Sequence, residues 1–176
     1  MQKDEPRCFA YADPPYLGCS HFYDHPEAGM WDEKQTHIDL IAAMDEDFHG
    51  WAYSCNSKDL LWLGPHLPEG VRIASWVKPF AAFKRNVPIA YTWEPVIFRR
   101  ALPRRESDPI GRDHLSEGIT MKRGFTGAKP DKFNRWVLDL IAYQDGDTMH
   151  DFFPGTGGMS KTLDADVLPL DFGGAA

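Results

Sequence analysis

Cys8-Phe9-Ala10-Tyr11-Ala12-Asp13-Pro14-Pro15-Tyr16 reads as a buried strand with an abrupt, stiff exit. The first five residues form a short apolar run. Each proline that follows lacks an N–H and fixes its own φ, and each forces the residue before it into an extended conformation. Asp13 and Pro14 are therefore held rigidly, and the Pro14 carbonyl has no local helix or turn to join. A carboxylate, a main-chain carbonyl and an aromatic ring then project together from the strand end. Two acceptors beside a stacking plate suit a flat ring carrying an exocyclic NH2 group. An ordinary strand-to-loop exit explains the tetrapeptide equally well, so its surroundings decide.

Working outward, strands and helices alternate. Thr36 to Phe48 has a helical apolar stripe (Ile38, Ile41, Ala42, Met44, Phe48), with Thr36 as its N-cap and Gly50 as its stop. Trp51–Cys55 is a short buried-type strand. Ser57 caps a short helix to Leu63, ended by Gly64-Pro65. Arg72–Val77 is a strand, and Phe80–Asn86 is a loop. Ile89–Arg99 is a long extended segment pairing antiparallel with Arg72–Val77, and Pro95 inside it implies an edge position or a bulge. Leu102–Gly127, rich in Pro, Gly and charge, reads as a long loop. Lys129-Pro130 opens a helix with Pro130 at its first position and an apolar face of Phe133, Trp136, Val137, Leu140 and Ile141, closed by Gly146. Thr148–Phe153 is a strand running into Pro154-Gly155-Thr156-Gly157-Gly158, and a further helix starts near Ser160. This order predicts one α/β domain over residues 1–176 with a mainly parallel sheet.

Composition narrows the classes. The chain has 176 residues, 43% hydrophobic and 26% charged, the profile of a globular domain with a core. No apolar run approaches the ~18–20 residues that span a membrane. Cys8, Cys19 and Cys55 are odd in number and lack CxxC spacing, which predicts a reduced, cytoplasmic setting. His21 and His25 lie four apart, but Gly18 and Pro26 argue against a helix there, so no metal is expected and the segment reads as a loop over a substrate or a plain connector. Net charge is −7, which argues against a uniformly DNA-coating protein. Between Arg99 and Arg135, however, ten Lys and Arg stand against five Asp and Glu. That basic segment, around 99–128, is a footprint for phosphate contacts through Arg99, Arg100, Arg104, Arg105, Lys122 and Arg123, or else a solvated loop.

The glycine turn supplies the second piece of chemistry. Glycines permit a tight turn and let a ligand lie against main-chain N–H groups. Gly-Lys-Ser/Thr does not follow at P-loop spacing, and G-x-G-x-x-G is not met. In a parallel sheet this turn and Asp13-Pro14-Pro15-Tyr16 share the carboxyl edge, where ligands bind.

With both motifs in hand, the chain resembles the amino-group DNA methyltransferases that use S-adenosylmethionine. Their Asp-Pro-Pro-Tyr motif appears as Asp13–Tyr16, and their Phe-x-Gly-x-Gly motif as Phe153-Pro154-Gly155-Thr156-Gly157. The order, catalytic motif first, resembles the permuted β class, which also carries a Lys-Pro before the cofactor strand, here Lys129-Pro130. Trp93–Phe98 resembles the family's late edge strand. The resemblance implies a Rossmann-like methyltransferase sheet, mostly parallel with one antiparallel edge strand, circularly permuted. Family members continue past the glycine turn through two more strands, the first ending in an acid for the ribose hydroxyls. Here only Ala165–Asp171 offers a short strand, with Asp166 or Asp171 as a substitute, so an incomplete sheet is expected: a second copy or a partner subunit supplies the remainder, the chain is truncated, or it is a decayed enzyme.

The resemblance assigns catalysis to Asp13, Pro14, Pro15 and Tyr16. It assigns S-adenosylmethionine binding to Asp151, Phe152, Phe153, Pro154, Gly155, Thr156, Gly157, Lys129 and Pro130. DNA is the implied substrate. Asp in first position resembles the adenine-N6 members, whereas cytosine-N4 members more often carry Ser. Cytosine, RNA or a protein amide as target, and a non-catalytic nucleic-acid-binding remnant, are the alternatives.

Overall fold

The computed structural model describes residues 5–80, 87–119 and 129–166. Lys122, Arg123 and Asp171 of the expected site lie outside these residues, as do the side chain of Asp166 and most of the Phe80–Asn86 loop.

Strands β1 (Cys8–Ala12), β2 (Gly50–Ser54), β3 (Arg72–Val77), β4 (Trp93–Arg99), β5 (His114–Ser116) and β6 (Thr148–Asp151) form one sheet in the order β5-β3-β4-β2-β1-β6. β1 pairs parallel with β2 and β6, and β3 with β5; β4 runs antiparallel to both of its neighbours. The sheet is thus mostly parallel with one reversed strand. The expected edge position of that strand is corrected, because β4 lies inside the sheet between β2 and β3. Pro95 is tolerated there for a local reason. Its carbonyl accepts from Cys55 N–H at 3.3 Å, beyond the last β2 pair, Ser54 with Val96. The missing N–H of Pro95 faces that same side at the end of the β2 ladder, so only the reciprocal rung to Cys55 O is absent and the pairing with β2 stops there. β4 is also shorter than the expected Ile89–Arg99, and β5 arises within the stretch expected to be a loop.

Alternation along the central strands sorts the core into two layers. Phe9, Tyr11, Ala52, Trp76, Val96 and Phe98 face helix α3 (Asp131–Ile141) and the start of α4 (Gly158–Asp166), meeting Phe133, Val137, Ile141 and Met159. Ala10, Ala12, Trp51, Tyr53 and Ile97 face α1 (Lys34–Asp47) and α2 (Leu60–Leu63), meeting Ile41, Met44 and Leu63. Helices on both faces explain why β2 is buried at all five positions.

Several element ends differ from expectation. A 3-10 turn at Ala28–Asp32 delivers the chain to α1 two residues early, so Thr36 lies inside the helix and Glu33 precedes it. Gly50 does not stop α1; it opens β2, where a Cβ would meet Ala101 N at 3.0 Å and the Phe9 ring at 3.0 Å. Asn56 rather than Ser57 caps the next helical turn, its side chain accepting from Lys58 N–H at 3.1 Å. Pro130 is the N-cap of α3, one position before the expected one. Ala142, not Gly146, ends that helix in the left-handed region at φ 69°. Among the described residues no helix is long and apolar enough to cross a membrane.

Candidate active site

The register places the two motifs side by side. Tyr11 pairs with Asp151, and Phe152 N–H donates to Tyr11 O at 3.0 Å. The chain then leaves β1 as Asp13-Pro14-Pro15-Tyr16 and leaves β6 as Phe153-Pro154-Gly155, both at the carboxyl edge. Pro14 and Pro15 are buried, whereas Asp13 and Tyr16 are half-buried. The Pro14 carbonyl accepts no hydrogen bond among the described residues, as the double proline predicts.

Asp13 stands in a cluster of charge. Lys129 Nζ lies 3.1 Å from Asp13 Oδ2 and 3.1 Å from Glu94 Oε2. Tyr16 donates its hydroxyl to Glu94 Oε2 at 3.0 Å and more loosely to Asp13 Oδ1 at 3.4 Å. Lys78 pairs with the other Glu94 oxygen. The Lys129 ammonium lies 5.5 to 5.8 Å from the ring centres of Trp76, Phe133 and Tyr16, a cation–π cage. Burial raises the Asp13 carboxyl above the usual carboxylate range, opposed by Lys129 and reinforced by the charge of Glu94. Burial also works to raise Glu94, but Lys129 and Lys78 outweigh it and hold the carboxyl at about 2. Burial pulls Lys129 down, and the carboxylate charges of Asp13 and Glu94 more than reverse it, keeping it protonated.

The glycine turn is open. Gly155 and Gly157 adopt φ of +46° and +73°, and a Cβ at Gly157 would meet nothing within 4 Å. Gly157 N–H donates to Pro154 O at 2.6 Å, and Phe153 N–H to Asp151 Oδ1 at 3.1 Å. Burial raises the Asp151 carboxyl, with Asp13 adding to it. Below the turn, Asn134 of α3 donates to Thr162 Oγ1 at 3.0 Å, and Thr162 donates to Gly158 O at 3.0 Å. This buried pair fixes the first turn of α4 against α3.

The loop after Tyr16 is tied down. Asp32 accepts from Gly18 N–H at 2.9 Å and from the Ser20 hydroxyl at 2.6 Å. Trp31 packs its ring on Phe153 with centres 4.8 Å apart. The buried His37, lowered by burial, bonds Trp31 O at 2.7 Å and the Tyr53 hydroxyl.

Lys129 therefore reaches Asp13 directly, while the resemblance assigned it to the cofactor. The arginines of the basic segment are placed differently. Arg99 pairs with Trp51 at the start of β2, at the edge opposite Asp13, and binds Asp45 and Glu69 O. Arg100 donates to the carbonyls of Asp139, Leu140 and Pro109, and Arg105 binds Asp147. Arg104 is exposed. Sequence reasoning does not single out Glu94, Lys78 and Trp76 as site residues, because the groups they meet are 16 to 78 positions away and no local pattern marks them.

No protein-family model matches the chain, and no curated protein matches it in sequence. Among solved structures, M1.HpyAVI in complex with SAM is similar over 92% of this chain and 78% of its own, with TM-score 0.60 and 14% identity. A second structure of M1.HpyAVI is similar over 91% and 77%, with TM-score 0.55 and 16% identity. The fold is therefore that of M1.HpyAVI, and the mixed six-stranded sheet is a methyltransferase-type, Rossmann-like one.

Proposed function

We propose that this chain transfers a methyl group from S-adenosylmethionine to the N6 amino group of adenine in DNA. The observation that carries the reading is the meeting, at one sheet edge, of an open glycine turn with a carboxylate and a carbonyl that retain acceptor capacity. An aromatic amino nitrogen is a poor nucleophile, since its lone pair is delocalised into the ring. Asp13 and the Pro14 carbonyl would accept hydrogen bonds from that NH2, drawing the nitrogen toward tetrahedral geometry and offsetting the positive charge it develops. Preorganised acceptors of this kind are a large term in catalysis. Tyr16 would stack on the extruded base, whose amino group is unreachable inside a duplex.

The residues present fit the cofactor. Gly155 and Gly157 leave main chain accessible, Phe153 and Trp31 give an apolar wall, and the desolvated carboxylate of Asp151 is an acceptor for an ammonium group. When bound, S-adenosylmethionine supplies an electrophilic methyl on a sulfonium. M1.HpyAVI, similar in fold, was solved with SAM. On the DNA side, exposed Phe22, Phe80 and Tyr91 come from the loops that leave β1 and β3 and enter β4, the same edge as Asp13, and offer stacking surfaces.

The test is methyl transfer from radiolabelled S-adenosylmethionine to unmethylated DNA, with the modified nucleoside identified after digestion. N6-methyladenine is expected. N4-methylcytosine overturns the adenine assignment, and absence of both transfer and calorimetric cofactor binding overturns the enzyme reading.

A further inference from the structure

Glu94 belongs to neither sequence motif, yet it touches both of the side chains that contact the Asp13 carboxylate, Lys129 and Tyr16. It lies near the start of β4, with its side chain only 16% exposed. One oxygen accepts from both Lys129 and Tyr16, and the other takes Lys78. Two lysines face two carboxylates here. Such a cluster is a poor way to stabilise a core, because well-packed apolar residues of similar size do as well or better. Its value lies in where it holds Lys129 and the Tyr16 ring.

We propose that Glu94 is a positioning residue for methyl transfer: it divides the Lys129 ammonium between itself and Asp13 and anchors the Tyr16 hydroxyl, so that Asp13 stays free to accept from the target amino group. The inference rests on the methyl-transfer reading. A carboxylate paired with an undivided ammonium is a weak acceptor toward a neutral NH2. In the structure Lys129 is equidistant from the two carboxylates, and Asp13 Oδ1 has only the loose 3.4 Å contact with Tyr16. Removing the Glu94 charge while keeping its shape gives Asp13 the whole ammonium and leaves the Tyr16 hydroxyl a weaker anchor.

Asp13 is faced by Lys129 from the approach to α3, by Glu94 from β4 with Lys78 behind it, and by Tyr16 and Tyr23 from its own loop. Tyr11 from β1, Tyr53 and Cys55 from the end of β2, and Asp151 from β6 complete the set. Of these, the Glu94 charge raises the Asp13 carboxyl. Glu94→Gln therefore moves Asp13 ionisation to lower pH.

The experiment compares the full chain with Glu94→Gln and Glu94→Asp, measuring methyl transfer to DNA as a function of pH, S-adenosylmethionine affinity by calorimetry, and melting temperature. For Glu94→Gln, kcat falls about 10²-fold, the scale of a misplaced reacting group. Cofactor affinity stays within about twofold of the parent on the same grounds, since no glycine-turn contact changes. The acid limb of kcat/KM moves to lower pH, and Glu94→Asp, which restores the charge, moves it back. A Glu94→Gln protein with unchanged kcat and an unshifted acid limb overturns the inference. So does one whose activity, cofactor affinity and melting temperature fall together with the limb unshifted in both variants, since that is a structural role. A parent chain that neither binds the cofactor nor transfers methyl fails at the proposed function itself, and the inference falls with it.

Discussion

At the amino edge of the sheet Arg7 is enclosed by Asp108 and Asp147; at the carboxyl edge Lys129 is shared by Asp13 and Glu94. The two networks use the same chemistry and differ in what they leave unused. Arg7 lies 2.7 Å from Asp108, whose side chain is fully buried, and also donates to Ala142 O and Pro103 O. Asp108 further accepts from Gln144 and from Arg105 N–H, and Asp147 from Arg105 and Arg7 N–H. Apart from Arg7 Nε, which lacks an acceptor, nearly every donor and acceptor is taken. This network fastens the start of β1 to the 102–109 loop and to the turn before β6. The Asp13 network is partly open to solvent, with side-chain exposures of 11 to 23%. It keeps an underused carboxylate oxygen and a carbonyl that has no partner among the described residues. A saturated, sealed ion cluster holds structure; an unsaturated, open one can receive a ligand.

The contrast can be broken at either edge. Asp108→Ala leaves Arg7 buried with one close anion removed, and unfolding by denaturant should show a loss of about 3–5 kcal/mol. Asp13→Ala should barely move the unfolding midpoint, because Lys129 retains Glu94. Methyl transfer should nonetheless fall by about 10²–10³-fold, equivalent to roughly 3–4 kcal/mol. Equal stability losses in the two variants would erase the distinction.

Acid titration sharpens the comparison within the site. The Glu94 carboxyl is depressed to about 2 from an ordinary 4.5. It contributes stability that is present above the ordinary value and lost as pH falls from there toward about 2, on the order of 3 kcal/mol in all. Asp13 has the opposite sign: its raised carboxyl makes ionisation unfavourable to the folded state, so methyl transfer should fail on acidification at a pH where Glu94 still supports the fold. Following activity and circular dichroism on one pH series checks whether activity is lost first.

Smaller effects bound the scheme. Gly50→Ala places a Cβ against Ala101 N and the Phe9 ring and should cost about 1–3 kcal/mol as overpacking, visible as a lower melting temperature. Arg104→Ala, on an exposed side chain at the edge away from Asp13, should change stability by no more than about 0.5 kcal/mol and leave methyl transfer unaltered. A large loss of DNA affinity in that variant would return the basic segment to the interface.

The local elements were legible because local chemistry fixes them. The run Cys8–Ala12 ends where the double proline stops it, Arg72–Val77 has the expected bounds, and the apolar face of Phe133, Val137 and Ile141 is buried as its period requires. Ends that depend on neighbours were not legible. Thr36 looked like a cap, but a preceding 3-10 turn wound the helix past it, and Gly50 looked like a stop although the close approach of Ala101 requires its missing side chain. The position of β4 inside the sheet was hidden, because Pro95 falls at the last rung of the β2 ladder, where an interior strand tolerates a proline as an edge strand does.

The sequence by itself determined the order of strands and helices apart from β5, the rigid exit at Asp13-Pro14-Pro15-Tyr16 and the glycine turn after β6, since proline, glycine and hydrophobic period act over a few residues. Tertiary structure alone decided that Lys129 would reach Asp13, that Glu94 and Lys78 would join it, and that Arg99, Arg100 and Arg105 would be taken up at the far edge. Those outcomes depend on strand order and register, which bring together groups up to 116 positions apart in the chain, and no local pattern carries that information.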